Sequence, residues 1–195
     1  MTLKRWFQSA LALVLVAMGV AVVQTPAHAI GEVYGPYLLV NAGTFLDSPQ
    51  CIDNPNSNKN DNTIMTIYNC NGGSNQQWAN ETAVTSSDYW TFNEASHKCL
   101  TVQNASSAQS AKVLQFTCNS GTNERWTYTA VDRSDTFTMI LGGKTYTSRV
   151  VFEIENLKSS LCLGTSNGVL TSGTQLVQTG CSNISPNWWI QFPVN

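Results

Sequence analysis

Cys51-Ile52-Asp53, then Ile67-Tyr68-Asn69-Cys70, then Asn75-Gln76-Gln77-Trp78 form a pattern that the chain repeats three times at fixed spacing. Cys51 and Cys70 stand nineteen residues apart, as do Cys99 and Cys118, and Cys162 and Cys181. A tryptophan follows the second cysteine of each pair by eight positions (Trp78, Trp126, Trp189), and a branched apolar residue follows the first (Ile52, Leu100, Leu163). Three copies of one spacing mark an internal threefold repeat. Six cysteines permit many pairings, and the spacing selects one, in which each pair closes within its own copy. Each such disulfide would contribute on the order of 3 kcal/mol by shortening the free chain.

Within a copy the apolar residues alternate with a period of two. Ile64, Met65, Ile67 and Tyr68 run into Cys70, and Tyr89-Trp90-Thr91-Phe92 runs towards Cys99. Turn clusters such as Asn71-Gly72-Gly73-Ser74 and Asn119-Ser120-Gly121 bound these runs, so short strands are predicted and no long helix. About four strands per copy give an all-β chain of roughly a dozen strands. One copy is too small to bury a core alone. Three copies around a threefold axis can, with the repeated Trp and the Ile or Leu after cysteine facing inward and a closed barrel removing exposed edges.

The copies span about 34–84, 85–133 and 150–195. The step from Cys99 to Cys162 exceeds that from Cys51 to Cys99 by fifteen residues, which fall between Trp126 and Val150. There Phe137 to Leu141 and Thr145 to Thr147 flank Gly142-Gly143, a hairpin with a primed turn over about 134–149. It reads as a surface elaboration of the second-to-third connection.

The first 29 residues read as a secretory signal peptide: Lys4 and Arg5, an apolar run from Leu11 to Val23, a break at Pro26, and Ala27-His28-Ala29 as the cleavage pattern. The run is shorter than the ~20 apolar residues of a membrane span, so the expectation is an extracellular protein without a membrane span. The domain from Ile30 to Asn195 keeps eight basic residues against twelve acidic ones, a net charge of −4. Phosphate-backbone binding runs on a basic surface, so nucleic acid is excluded as a partner.

In these residues the chain resembles the ricin B-chain-type lectins, also known as family-13 carbohydrate-binding modules. The first copy matches that family's Cys-apolar-Asp start, its apolar strand into a second cysteine and its Gln-x-Trp signature. Later copies depart from it, with Glu124-Arg125-Trp126 and Asn187-Trp188-Trp189 in place of Gln-x-Trp. The resemblance implies a β-trefoil with pseudo-threefold symmetry and a carbohydrate partner, either a galactose-type sugar or a plant or cell-surface polysaccharide. It implies no cofactor.

The resemblance also assigns roles. An Asp two after the first cysteine accepts hydrogen bonds from sugar hydroxyls, an aromatic two before the second cysteine stacks on the ring, and an Asn before Gln-x-Trp completes the polar grip. A carboxylate orients the sugar through charge-assisted hydrogen bonds, and the aromatic removes apolar surface from water. The first copy supplies Asp53, Tyr68 and Asn75, with Gln76 placed to brace the carboxylate. The second keeps Phe116 and Asn123 but has Thr101 for the Asp, which makes a weaker candidate. The third has Gly164, Thr179 and Pro186 and reads as lost. Singly, Asp53 also fits a turn cap and Tyr68 a half-buried strand residue. Together, at matching spacing, they read as one sugar site.

Other chemistry finds little support. His97 is the one histidine after the leader and has no G-x-S-x-G elbow beside it. Glu153 and Glu155 share one strand face but read as a charged outer face near Lys158. Gly143-Lys144-Thr145 lacks the first glycine of a phosphate loop, and Asn54, Asn56 and Asn58 lack the glycine and closing Glu of a calcium loop. No closely spaced Cys pair suggests a metal. The expected function is therefore a non-catalytic, sugar-binding module. The alternative is a sugar-blind trefoil that recognises a protein partner, favoured by the departures in the later copies and by the insertion. A single weak site further suggests an oligomer or a polymeric ligand.

Overall fold

The computed structural model describes residues 31–82, 87–132, 134–182 and 185–194; the segment read as a signal peptide lies outside them. The first lobe contains β1 (Val33–Asn41), β2 (Gln50–Asp53), β3 (Thr63–Ile64), β4 (Thr66–Asn69) and β5 (Gln77–Thr82). The second contains β6 (Tyr89–Asn93), β7 (Cys99–Val102), β8 (Val113–Phe116) and β9 (Arg125–Asp132). A hairpin of β10 (Phe137–Leu141) and β11 (Lys144–Ser148) precedes the third lobe, made of β12 (Val151–Asn156), β13 (Cys162–Thr165), β14 (Leu176–Thr179) and β15 (Trp188–Pro193).

Six of these strands close a ring. β1 pairs with β15, β15 with β12, β12 with β9, β9 with β6, β6 with β5, and β5 returns to β1, all antiparallel. The hairpins β2–β4, β7–β8 and β13–β14 cover one end of that barrel, one per lobe. The protein is an all-β trefoil.

The reason these residues form it lies in the threefold core. Trp78, Trp126 and Trp189 are buried in one cluster with Ile52, Leu100 and Leu163. Each indole N–H donates to the carbonyl of the residue after its lobe's first cysteine: Trp78 to Ile52 at 3.0 Å, Trp126 to Leu100 at 2.8 Å, Trp189 to Leu163 at 3.0 Å. A buried indole must place its N–H, and here it ties a barrel strand to a cap hairpin in every lobe. The three disulfides join Cys51–Cys70, Cys99–Cys118 and Cys162–Cys181.

Two expectations are refined. The run from Ile64 to Tyr68 is split into β3 and β4 around the fully buried Met65, whose N–H donates to Val113 of the next lobe's hairpin rather than to its own. The insertion is more than a surface elaboration. Its turn glycines Gly142 and Gly143 have φ 56° and 79°, as a primed turn requires. Its inner face carries the buried Met139 and Tyr146, which pack with Leu38, Val40, Ile190 and Phe192 on the outside of β1 and β15. Phe137 meets Phe45 edge-on, with ring centroids 5.3 Å apart. The hairpin thus covers a second apolar cluster that the other lobes do not have to cover, which is what fixes its alternating sequence.

Candidate functional site

The pairing of β2 with β4 sets Cys51 against Tyr68 and Asp53 against Thr66, with Ile52 against Ile67 between them. Because side chains alternate across a strand, Ile52 and Ile67 enter the core while Asp53, Thr66 and Tyr68 share the opposite face. The short 3₁₀ turn Ser74–Gln76 then brings Asn75 and Gln76 up to Asp53.

Asp53 is 5% exposed, and both amides grip the same oxygen. Asn75 Nδ2 donates to Asp53 Oδ1 at 2.7 Å and Gln76 Nε2 donates to it at 3.0 Å. Gln76 is held in turn: its Nε2 also donates to the Asn69 carbonyl at 3.0 Å, and its Oε1 accepts the Asn71 N–H at 2.7 Å. No donor among the described residues reaches Asp53 Oδ2. Burial pushes the carboxyl above the usual aspartate range, and the hydrogen bonds from Gln76 and Asn75 partly offset it. Asn75 spends its second N–H on the Asn54 carbonyl at 3.3 Å, so its Oδ1 is what remains for a ligand.

Asp53, Tyr68 and Asn75 line one cleft of about 450 Å³, with Tyr68 half exposed along it. Gln76 is fully buried behind them. Pro55, Asn56, Thr66, Asn71 and Gly173 complete the walls. Asn56 is placed by a left-handed backbone, φ 57°, and Asn104 and Asn167 repeat it in the other lobes at φ 53° and 55°. Asn tolerates that region better than most residues, a signal present in the sequence as three asparagines five after a first cysteine.

Gly173 belongs to the third lobe, and sequence reasoning missed it. Gly173, Asn62 and Ser110 are threefold equivalents with positive φ, and each donates its N–H to the neighbouring lobe: Gly173 to Ile67, Asn62 to Gln115, Ser110 to Gln178, at 2.8 to 2.9 Å. Each lobe thus contributes one wall residue to the next lobe's position. Asn62 stands beside the second-lobe cleft as Gly173 stands beside the first.

The second-lobe cleft is smaller, about 210 Å³, and brings together Thr101, Phe116, Asn123 and Glu124. Thr101 is turned to its own strand, donating to the Cys99 carbonyl at 2.9 Å. Asn123 Nδ2 donates to the Val102 carbonyl at 3.3 Å, as Asn75 does to Asn54. A carboxylate is present but transposed: Glu124 occupies the brace position of Gln76, and both its oxygens accept from Asn119, at 2.7 Å each. In the third lobe a Cβ added to Gly164 would fall 2.6 Å from Asn187 Oδ1 and 2.7 Å from Thr179 Cγ2. The room that Asp53 uses is filled there.

Among the described residues no group of three His, Cys, Asp or Glu is arranged to hold a metal, and no helix is long and apolar enough to cross a membrane.

Residues 43–136 match the family model described as the ricin-type beta-trefoil lectin domain. No curated protein matches the chain. Among solved structures, the designed threefold-symmetric protein ThreeFoil is similar at 24% identity and TM-score 0.65, over 83% of this chain and 100% of that one. The Rhizoctonia solani agglutinin is similar at 17% identity and TM-score 0.65, over 82% of this chain and 95% of that one. The exo-beta-1,3-galactanase of Clostridium thermocellum is similar at 19% identity and TM-score 0.66, over 82% of this chain but only 30% of its own. At these identities the likeness is one of fold.

Proposed function

Because the chain carries a ricin-type β-trefoil lectin domain, a carbohydrate-binding fold, we propose that it binds a saccharide in the first-lobe cleft, without catalysis and after export. The observation that carries this reading is the asymmetry of Asp53. Two amides pin Oδ1, Oδ2 accepts from no described residue, and Asp53 lines the cleft beside the half-exposed ring of Tyr68. A pre-oriented carboxylate oxygen accepts from adjacent ring hydroxyls, and an aromatic wall takes the C–H face of the same ring. Neither lysine nor arginine lines the cleft, which suits a neutral sugar over an anionic one. Export rests on the basic and apolar leader of residues 1–29.

Binding at one shallow site is weak, so retention on a surface comes from a polymeric ligand or from several copies. The protein-partner reading draws on the altered second and third lobes and on the outer face of the hairpin, where Ile140 is exposed, since the inner face covers β1 and β15. A glycan array probed with the purified protein tests the proposal. Selective retention by a family of saccharides sharing one terminal or repeating unit is expected. Absence of binding to every neutral glycan would reject it and favour the sugar-blind alternative.

A further inference from the structure

The barrel end away from the cap hairpins is closed by an aromatic box. Tyr37, Tyr89 and Phe152 each lie four residues before the buried, threefold-related Asn41, Asn93 and Asn156. Asn80, Tyr128 and Gln191 each lie two after the core tryptophans. Strand alternation turns all six towards the barrel axis, one from every barrel strand. Together with Tyr34 they surround a pocket of about 200 Å³.

The rings meet at right angles. Tyr89 and Tyr128 have centroids 5.6 Å apart at 90°, Tyr128 and Phe152 5.7 Å apart at 78°, and Tyr34 and Tyr89 6.5 Å apart at 85°. The polar atoms at the base are engaged with one another: Thr91 Oγ1 donates to Asn80 Oδ1 at 2.9 Å, and Tyr128 Oη donates to the same oxygen at 3.2 Å. At the rim Tyr34, 43% exposed, donates its hydroxyl to the carboxylate of Glu32, which is not itself a lining residue. No lysine or arginine lines the pocket.

We propose that this box binds a small methylated ammonium group, such as a choline-type head group. Four tyrosine rings and a phenylalanine ring line the pocket, an aromatic ring attracts a compact cation through its π face, and the apolar methyl groups need no hydrogen bonds from the engaged base. The Glu32 carboxylate, bonded to the rim residue Tyr34, adds negative charge next to that wall. The proposal is independent of the first-lobe cleft.

The test is a titration of the intact protein with choline, with tetramethylammonium and with choline's uncharged tert-butyl isostere, followed by tyrosine ring resonances in proton NMR. Saturable shifts with both cations are expected, with the isostere at least about tenfold weaker. Tyr34→Ala and Glu32→Gln sit at the rim, and each should weaken cation binding severalfold while the melting temperature holds. Asp53→Ala should leave cation binding unchanged, which separates this site from the sugar cleft. Equal binding of the isostere, no saturable shift with either cation, or unchanged affinity in both rim variants would overturn the proposal.

Discussion

Gln76 Nε2 lies 3.0 Å from Asp53 Oδ1, and the same amide is anchored on the Asn69 carbonyl and the Asn71 N–H. A fully buried side chain therefore sets which way a nearly buried carboxylate faces. In the first lobe Oδ1 is committed to two amides, while Oδ2 accepts from no described residue.

Gln76→Ala should consequently cost both stability and affinity. It strips Asn69 and Asn71 of buried partners, a loss of about 1–3 kcal/mol, and leaves the Asp53 carboxylate held by Asn75 alone. A thermal melt beside a saccharide titration checks this. Unchanged affinity would show that Gln76 does not position the carboxylate.

Acid should weaken sugar binding before it reaches the range of an ordinary aspartate. Burial raises the Asp53 carboxyl above that range, and only the ionised form accepts from two hydroxyls. Affinity thus falls as pH drops through the raised value. Stability moves oppositely. A raised native value means the buried charge weighs against folding at neutral pH, and this is relieved as pH falls, fully so below the unfolded value. The melting temperature of the wild type relative to Asp53→Asn should rise from pH 7 to pH 4. A constant difference would show that Asp53 titrates as it does in the unfolded chain.

The second lobe should be recoverable by moving its carboxylate back. Thr101→Asp together with Glu124→Gln recreates the first-lobe pairing, and Asn123 already stands on Val102 as Asn75 stands on Asn54. Calorimetry should find a second equivalent of saccharide in the double variant. Thr101→Asp alone should not gain it, because two carboxylates would then crowd one pocket. Gly164 offers no such route, since Asn187 and Thr179 fill its space.

The β10–β11 hairpin should matter for stability more than for recognition. Met139→Ala removes a nearly buried side chain from the cluster on Leu38 and Phe192 and should cost roughly 2–5 kcal/mol. Saccharide affinity, measured below the lowered melting temperature, should be unchanged. A lost affinity would place the hairpin in the binding machinery.

What the sequence made legible follows from repetition. The cysteine and tryptophan spacing carries the threefold core because each Trp must find the carbonyl after its own cysteine, a contact within one lobe. Asp53, Tyr68, Asn75 and Gln76 come together for the same reason: one hairpin and one turn assemble them. Gly173 was hidden because it reaches the first lobe from more than a hundred residues away, and nothing local marks that neighbour. Met139 and Tyr146 were hidden too, since an alternating hairpin looks the same whether its apolar face meets solvent, a partner or the barrel wall. Tyr37, Tyr89 and Phe152 read as ordinary strand aromatics until the barrel closes and sets them around one axis.

The central claim is that Asp53 grips the sugar, and calorimetric titration of Asp53→Ala with a saccharide that the wild type binds tests it most directly. The account predicts one equivalent bound by the wild type and none by the variant, with the variant folded and no less stable at neutral pH. Equal binding by a folded Asp53→Ala would place the sugar elsewhere and contradict the account.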